Sequence, residues 1–396
     1  MLFFNPDLDL KKYVVATYWI KTRSADLEKA SWELAIGQSI GNPNIRNRWE
    51  TEDLFKEFSC VIMHERSKLK NINEGYVKIG FPIVNTDWSQ DGVSQLLCQL
   101  MGGQMDIDTF NTCRLTNIDF PQSVLKNFLG PKFGISGIRK YTGRKDKPLC
   151  GAIIKPKIGI NADKLLSVVK ELVEGGADFI KEDEIMSNPS VCSLKERVPL
   201  ISNYLAKSDR KVIYSVCINA DHDNLLKRAK FVSEMGANGI HINHWSGLGA
   251  YNAVRKMNLP LYIHFQKSGD KVFTDARHNF GIDWKVVCKL AAIMGVDTIH
   301  AGMWGGYLND DEKELKNVIS LLNQHNVLPA LSCGMHPGLV QAVIKQFGND
   351  FIANVGGAIH GHPMGTMSGT KAMRQAIDKV HENEYEQAIA KWGFVK

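Results

Sequence analysis

Residues 181–184, Lys-Glu-Asp-Glu, place a lysine just ahead of two carboxylates at the end of the apolar run 177–180. Because side chains alternate between the two faces of a strand, Lys181 and Asp183 point the same way, and Glu184 follows where the strand opens into a loop. Carboxylate oxygens at a strand end suit Mg²⁺. An ammonium group would repel that ion, so Lys181 fits the cluster only if it is neutral or is carboxylated by CO₂ to an anionic carbamate. Taken alone, the segment also fits a solvated charge run at a strand end.

A second segment of the same kind lies upstream. The apolar stretch 151–154 ends in Lys155-Pro156-Lys157, where both lysines point the same way and the proline stops further strand pairing. Two consecutive strands that each end in ionisable groups, with a helix between them, are typical of neighbouring units of a (β/α)₈ barrel. Active sites of such barrels lie at the carboxyl ends of the strands, so the two segments predict one site at that rim.

The chain after residue 150 alternates short β-branched runs with amphipathic helical segments, which predicts a parallel barrel. Eight strands are predicted, at 150–154, 178–182, 211–217, 239–243, 261–265, 298–301, 328–333 and 351–355. Helical spacing of apolar residues predicts helices at 162–174, 224–235, 284–294 and 311–324. Asn161 fits the N-cap of the first of these helices.

The N-terminal third has a different pattern. Residues 13–19 and 61–66 alternate like half-buried strands, and 74–82 fits a further strand. The predicted fold class is therefore α/β, with a small α+β, ferredoxin-like domain at 1–135 that contains an open antiparallel sheet. A (β/α)₈ TIM barrel at 136–396 follows as the catalytic domain, and its last residues form helices packed on the barrel.

Polar or small residues stand at nearly every predicted carboxyl end. In chain order they are Lys155 and Lys157, then Lys181 with Asp183 and Glu184, Asn219, His244, His264, His300, Ser332 with Gly334, and Gly356 with Gly357. A single histidine is more often a core residue, but the shared position of these favours a functional role. The small residues after the seventh and eighth strands expose backbone N–H groups where such barrels most often hold phosphate, which predicts a phosphorylated substrate.

Composition restricts the class of protein. A chain of 396 residues that is 44% hydrophobic can bury a large core in two domains. The net charge of +6 comes without a run of like charges, so neither a nucleic acid nor a membrane is an expected partner. Neither a signal segment nor an apolar stretch of the ~20 residues that a membrane span needs is found, so a cytoplasmic location is expected. The eight cysteines contain no CxxC pair, which indicates neither a zinc site nor a disulfide framework.

Five of these segments together resemble the large subunit of ribulose-bisphosphate carboxylase (RuBisCO), and more closely its RuBisCO-like relatives. They are 151–159, 175–184, 300–302, 332–338 and 356–363, and 130–134 is similar to the family's interdomain segment. The resemblance covers essentially the whole chain. It implies a homodimer in which the partner's N-terminal domain completes each active site.

The resemblance also implies a role for each site residue. Lys181 is similar to the lysine that CO₂ carboxylates, and Asp183 and Glu184 would complete the shell of one Mg²⁺ per active site. Lys155 resembles an acid/base lysine and Lys157 a supporting lysine. The remaining matches are substrate contacts: His264 and His300 line the substrate, while Ser332, Gly334, Gly356 and Gly357 contact its hydroxyl and phosphate groups.

Three departures from the family pattern argue against CO₂ fixation. Tyr307 replaces the lysine that contacts the incoming CO₂, and Phe265 replaces a phosphate-binding arginine. The segment 37–42 lacks the expected glutamate and threonine of the N-terminal domain. Metal and proton chemistry is retained, and a substrate with a single phosphate is expected.

Known RuBisCO-like reactions leave three candidates. One class enolises 2,3-diketo-5-methylthiopentyl 1-phosphate, another isomerises 5-methylthioribulose 1-phosphate, and a third decarboxylates 3-oxo-isoapionate 4-phosphate or acts on it as a transcarboxylase/hydrolase. The enolases carry an N-terminal lysine that is missing from 100–105, and they usually lack a histidine like His300. Decarboxylation is therefore preferred.

Two further hypotheses come from other classes of protein. A sugar-phosphate aldolase could use Lys155 as a Schiff-base lysine. A catalytically silent metal-binding protein would be indicated by loss of Lys181, Asp183 or Glu184, and all three are present.

Overall fold

The computed structural model describes residues 3–23, 26–43 and 45–395, and the chain divides into two compact units. The first unit comprises Met1–Phe128 and Gly269–Leu290, and the second comprises Leu129–Ser268 and Ala291–Lys396.

Strands and helices alternate along most of the chain. The strands in the described residues are β1 (Tyr13–Thr22), β2 (Val61–Ile62), β3 (Glu74–Pro82), β4 (Phe110–Asp119), β5 (Leu149–Ile153), β6 (Phe179–Lys181), β7 (Ile213–Cys217), β8 (Gly239–Asn243), β9 (Tyr262–Gln266), β10 (Phe280–Ile282), β11 (Thr298–Gly302), β12 (Leu328–Leu331) and β13 (Ile352–Val355). The α-helices there are α1 (Leu27–Gly37), α2 (Glu52–Phe58), α3 (Gly92–Leu100), α4 (Gln122–Leu125), α5 (Gly134–Thr142), α6 (Ala162–Glu174), α7 (Leu194–Lys207), α8 (His222–Glu234), α9 (Gly249–Lys256), α10 (Lys271–Thr274), α11 (Trp284–Ile293), α12 (Glu312–Gln324), α13 (Pro337–Phe347), α14 (Gly357–His360), α15 (Thr366–Asp378) and α16 (Asn383–Trp392). None of the described helices is both long and apolar enough to cross a bilayer.

The first unit contains an open sheet with the strand order β10-β4-β1-β3-β2. β1 pairs antiparallel with β3, as expected for the predicted antiparallel sheet. It also pairs antiparallel with β4, a strand that was not predicted, and β10 adds a parallel edge strand. The predicted division at residue 135 placed the segment that contains β10 in the barrel domain, and the structure corrects this. The segment joins the first unit because the buried guanidinium of Arg114 donates to its backbone carbonyls at Thr274, Asp275 and His278, at 2.8–3.2 Å.

The second unit is a closed barrel in which eight parallel strands of the described residues follow the order β5-β6-β7-β8-β9-β11-β12-β13. All eight predicted barrel strands are present, and their ends agree with the prediction to within two residues. Strands β7, β8, β9 and β11 are buried at every position, as expected for strands covered on both faces. The predicted N-cap is also confirmed, since Asn161 Oδ1 accepts the Lys164 N–H at 3.0 Å.

The amino ends of the barrel strands are closed by an apolar plug. Ile138 of α5 packs in one buried cluster with the early strand residues Leu149, Phe179, Ile213, Tyr262, Leu328 and Ile352. At the start of α5, the backbone N–H groups of Phe133 and Gly134 donate to Asp297 Oδ1 at 2.8 and 3.0 Å. The amino end of the barrel is therefore packed, and polar side chains collect at the carboxyl end.

Candidate active site

A cavity of about 500 Å³ lies at the carboxyl ends of the barrel strands. Nine of the predicted site residues line it: Lys155, Lys157, Asp183, Glu184, His300, Ser332, Gly334, Gly356 and Gly357. Lys181 and His264 are each only 1% exposed and are not among the lining residues. The rim candidates Asn219 and His244 do not line the cavity either. Residues that are far apart in the sequence are thus gathered at one rim.

Lys155 and the two carboxylates each make a short polar contact at the rim. Lys155 follows β5, and its Nζ lies 2.7 Å from Asp183 Oδ2. The hydroxyl of Ser268 donates to Glu184 Oε1 at 2.7 Å. Burial alone would raise the pKa of Glu184, but the positive charge of Lys181 and the hydrogen bond from Ser268 outweigh it and lower that pKa to about 2. Glu184 is therefore an anion at neutral pH.

Lys181 is the last residue of β6, and its amine is buried. Its Nζ donates to the backbone carbonyl of Glu182 at 2.9 Å and lies 3.5 Å from Glu184 Oε2. Burial lowers the pKa of Lys181, although the negative charge of Glu184 opposes this effect. A lowered pKa increases the fraction of neutral amine, which is the form that reacts with CO₂.

The donor set fits a hard cation if Lys181 takes part. Within residues 3–23, 26–43 and 45–395, no group of three or more His, Cys, Asp or Glu side chains is arranged to hold a metal ion. Asp183 and Glu184 supply two carboxylates beside the cavity, and a carbamate on Lys181 would supply a third anionic oxygen. Such a set suits Mg²⁺, which prefers oxygen ligands.

Glu182 lies in the same segment but has a different role. It is fully buried, and its Oε1 accepts from Arg197 Nε at 2.7 Å and from the Tyr214 hydroxyl. Its Oε2 accepts from Arg197 Nη2 at 2.9 Å and from the Cys217 N–H at 2.8 Å. These contacts fix the backbone between Lys181 and Asp183. The sequence placed Glu182 in the segment without identifying this role, because its partners come from later elements.

His300 is buried beside Ser332 at the rim of the cavity. Its Nε2 lies 2.9 Å from Ser332 Oγ. Burial lowers the pKa of His300 to about 3, and the nearby positive charges of Lys267 and Lys181 contribute. His300 is therefore neutral at pH 7 and can serve as a hydrogen-bonding group for a ligand.

His264 lies deeper than the resemblance implied. Its Nδ1 lies 2.8 Å from Thr298 Oγ1, and it is absent from the cavity wall. Burial, followed by the positive charge of Lys181, holds the pKa of His264 well below its usual range. Direct contact between His264 and a substrate stays a prediction.

One of the predicted glycines is required by a close approach, and a Cβ at another would crowd a neighbouring lysine. Gly334 has φ +113°, and a Cβ there would lie 2.4 Å from the backbone nitrogen of Tyr307. A Cβ on Gly356 would lie 3.2 Å from Lys155 Cε. Glycine at these positions lets the segment before Tyr307 and the side chain of Lys155 pack against the rim.

Several cavity residues were not identified as site residues from the sequence. They are Gln266, Ser268, Cys333, Asn354 and Trp392. Gln266 and Ser268 alternate at the end of β9, a pattern that could have drawn attention to them. Trp392 gave no signal, because only the packing of α16 brings it to the rim. Tyr307 also lines the cavity and is 85% exposed.

Comparison with known proteins gives consistent matches. The family model "Ribulose bisphosphate carboxylase large chain, catalytic domain" matches residues 134–393. A ribulose bisphosphate carboxylase of Pyrococcus furiosus is 30% identical, with 97% of this chain and 95% of the relative covered. A 2,3-diketo-5-methylthiopentyl-1-phosphate enolase of Geobacillus kaustophilus is 29% identical, with 97% and 98% covered. The crystal structure of octameric RuBisCO from Pyrococcus horikoshii in complex with sulfate superimposes with a TM-score of 0.90 at 27% identity, covering 100% of this chain and 97% of that one.

Proposed function

The chain belongs to the RuBisCO large-chain family, and from this premise we propose that it is a Mg²⁺-dependent carboxy-lyase of carbohydrate catabolism. The proposed reaction is the decarboxylation of 3-oxo-isoapionate 4-phosphate through an enediolate. The observation that carries the proposal is the contact of Lys155 Nζ with Asp183 Oδ2 at 2.7 Å, which places an acid/base lysine directly beside the carboxylate pair.

The cavity residues divide the work of binding the substrate. The backbone at Gly334, Gly356 and Gly357 receives the phosphate, and Ser332 with neutral His300 binds a hydroxyl group. A Mg²⁺ ion held by Asp183, Glu184 and a carbamate on Lys181 would supply a Lewis acid for the substrate oxygens.

In the proposed reaction Lys155 supplies the proton, and Lys157 stabilises negative charge. The bond between the carboxylate carbon and C2 breaks, CO₂ leaves, and the electron pair moves through C2 to the 3-oxo oxygen to give the enediolate. Lys155 Nζ then donates a proton to C2, and the product is the ketose phosphate. Lys157, which also lines the cavity, stabilises the negative charge that develops.

The test uses 3-oxo-isoapionate 4-phosphate with ¹³C in its carboxyl group. Protein preincubated with Mg²⁺ and unlabelled bicarbonate is expected to release ¹³CO₂, and omission of either is expected to abolish the release. Absence of release from the fully loaded protein would refute the decarboxylase proposal.

A second candidate is supported by the relative from Geobacillus kaustophilus, whose name is that of the diketone enolase. Loss of the ultraviolet absorbance of the dione would identify this activity, and isomerisation of 5-methylthioribulose 1-phosphate would identify the related isomerase. The missing lysine in 100–105 argues against the enolase.

Carboxylation of ribulose bisphosphate is the activity named for the relative from Pyrococcus furiosus. Tyr307 and Phe265 stand where the CO₂-contacting lysine and a phosphate-binding arginine are expected, so we propose that this chain does not fix CO₂. Incorporation of labelled CO₂ into acid-stable product from ribulose bisphosphate would contradict this part of the proposal.

We also propose that the protein is a homodimer in which the partner's N-terminal domain completes each site. The octameric assembly named for the relative from Pyrococcus horikoshii supports an oligomer. Light scattering of the eluting protein should give about twice the mass of 44.3 kDa. A monomer that retains full activity would contradict a shared site.

A further inference from the structure

Two amide side chains in the cavity wall keep an acceptor oxygen that no described residue satisfies. Gln266 is 4% exposed, Asn354 is 1% exposed, and both line the cavity. Gln266 Oε1 and Asn354 Oδ1 are buried and have no hydrogen-bond partner within the described part of the chain. Because an unsatisfied buried acceptor destabilises a folded protein, such atoms usually meet a ligand or an ordered water.

The orientation of the Gln266 amide follows from its neighbours. Glu184 is a carboxylate and can only accept, so the Ser268 hydroxyl donates its proton to Glu184 Oε1 at 2.7 Å. The oxygen of Ser268 is then an acceptor, and Gln266 Nε2 donates to it at 2.7 Å. The amide nitrogen is thus committed to Ser268, and Oε1 is left as the acceptor without a donor.

The two acceptors lie at the ends of an arc of polar residues. Gln266 is on β9 and Asn354 on β13, and the strands between them in the barrel are β11 and β12. His300 on β11 and Ser332 just after β12 also line the cavity. A ligand that fills the cavity between these strands therefore meets acceptors on both sides.

The chemistry of the acceptors restricts the ligand. The phosphate and carboxylate groups of a sugar acid phosphate are ionised at neutral pH and act mainly as acceptors, whereas its hydroxyl groups donate. We propose that Gln266 and Asn354 each accept a hydrogen bond from a substrate hydroxyl, so that the site selects a polyhydroxylated acid phosphate over a dione without hydroxyl groups. This inference rests on the proposed function and names the substrate class of the same site.

One protein group could satisfy Gln266 instead. The Gln266 side chain interacts with His264 as a hydrogen-bonding group and raises the pKa of that imidazole, against the larger lowering by burial. His264 Nε2 also lacks a partner among the described residues. A hydroxyl between the two could accept from the imidazole and donate to the amide. A direct contact between them would instead remove the need for a substrate hydroxyl at Gln266, and the experiment separates these cases.

The test compares two ligands that cannot be decarboxylated. D-erythronate 4-phosphate and 4-phosphooxybutanoate have the same phosphate and carboxylate, differ in two hydroxyl groups, and lack a 3-oxo group. Calorimetry with Mg²⁺ and bicarbonate should show at least about tenfold tighter binding of the hydroxylated compound to the wild-type protein. Gln266→Met and Asn354→Leu should each reduce this preference, by about tenfold at most. The lower limit is equal affinity for the two compounds. The control Gln324→Met changes an exposed glutamine at the end of α12 and should keep the full preference.

Binding of inorganic phosphate and the thermal midpoint report whether each variant is folded with an intact phosphate end. Equal affinity of the two compounds for the wild-type protein, or binding of neither while phosphate binds, overturns the inference. If only Asn354→Leu loses the preference, Gln266 is in direct contact with His264. The part of the inference that concerns Gln266 would then be overturned. A clear hydroxyl preference combined with no ¹³CO₂ release would instead refute the proposed decarboxylation and leave the hydroxyl contacts standing.

Discussion

Two adjacent residues where β6 ends, Lys181 and Glu182, differ in how completely their charges are paired. Glu182 accepts four hydrogen bonds from Arg197, Tyr214 and the backbone of Cys217. Lys181, its neighbour, has one backbone carbonyl at 2.9 Å and one carboxylate at 3.5 Å. A buried charge that is fully paired stabilises one geometry, whereas a buried charge with weak contacts is available for chemistry.

This difference assigns separate tasks to adjacent residues. The Glu182–Arg197 pair anchors the backbone and should govern stability. Lys181 and Asp183, held in place by that anchor, should govern metal binding and turnover. Changes to Glu182 or Arg197 are therefore expected to alter stability, and changes to Lys181 or Asp183 to alter metal binding and turnover.

The largest effect is expected for Lys181→Ala. Loss of the amine removes the carbamate oxygen, so turnover should fall by at least about a thousandfold and Mg²⁺ binding should weaken. Calorimetric titration with Mg²⁺ and the ¹³CO₂ assay measure the two effects, and thermal unfolding should change little. A variant that keeps its turnover would rule out a role for the carbamate.

Arg197→Met should destabilise the protein most. It leaves Glu182 buried without its cation, which costs about 3–5 kcal/mol in the free energy of unfolding. Urea unfolding measures this change. The exposed pair Lys316–Glu312 offers a control, because Lys316→Met should change stability by less than about 1 kcal/mol. Similar losses in the two variants would contradict the anchor.

Ser268→Ala should have a smaller and more selective effect. It removes the hydrogen bond to Glu184 Oε1, so the dissociation constant for Mg²⁺ should rise by about tenfold. Ser268→Thr retains the hydroxyl and should restore most of the affinity. If alanine and threonine behaved alike, the hydroxyl would have no part in orienting the carboxylate.

Tyr307→Phe should have the smallest effect. Because this side chain is largely exposed, loss of its hydroxyl should change kcat/KM by less than about fivefold. Steady-state kinetics would check this expectation. A much larger loss would show that Tyr307 contacts the substrate directly.

Local patterns were sufficient to predict the barrel and nine of the residues that line the cavity. Apolar runs that end in ionisable residues, as at Lys155 and Lys181, gave the strands and their carboxyl ends together. The hydrogen bond from Ser268 to Glu184 could not be predicted, because it joins the loops after β9 and β6 through side chains. The sequence also could not predict that residues 269–290 belong to the first unit. Arg114 binds that segment mainly through backbone carbonyls, which every residue type carries.

The most direct test of the central claim is ¹³C NMR of the protein with ¹³C-bicarbonate and Mg²⁺. The weakly paired amine of Lys181 should give a carbamate resonance in the wild-type protein and in Lys155→Met, and none in Lys181→Ala. Absence of the resonance from wild-type protein at saturating Mg²⁺, or its persistence in Lys181→Ala, would contradict the assignment of this lysine as a metal ligand.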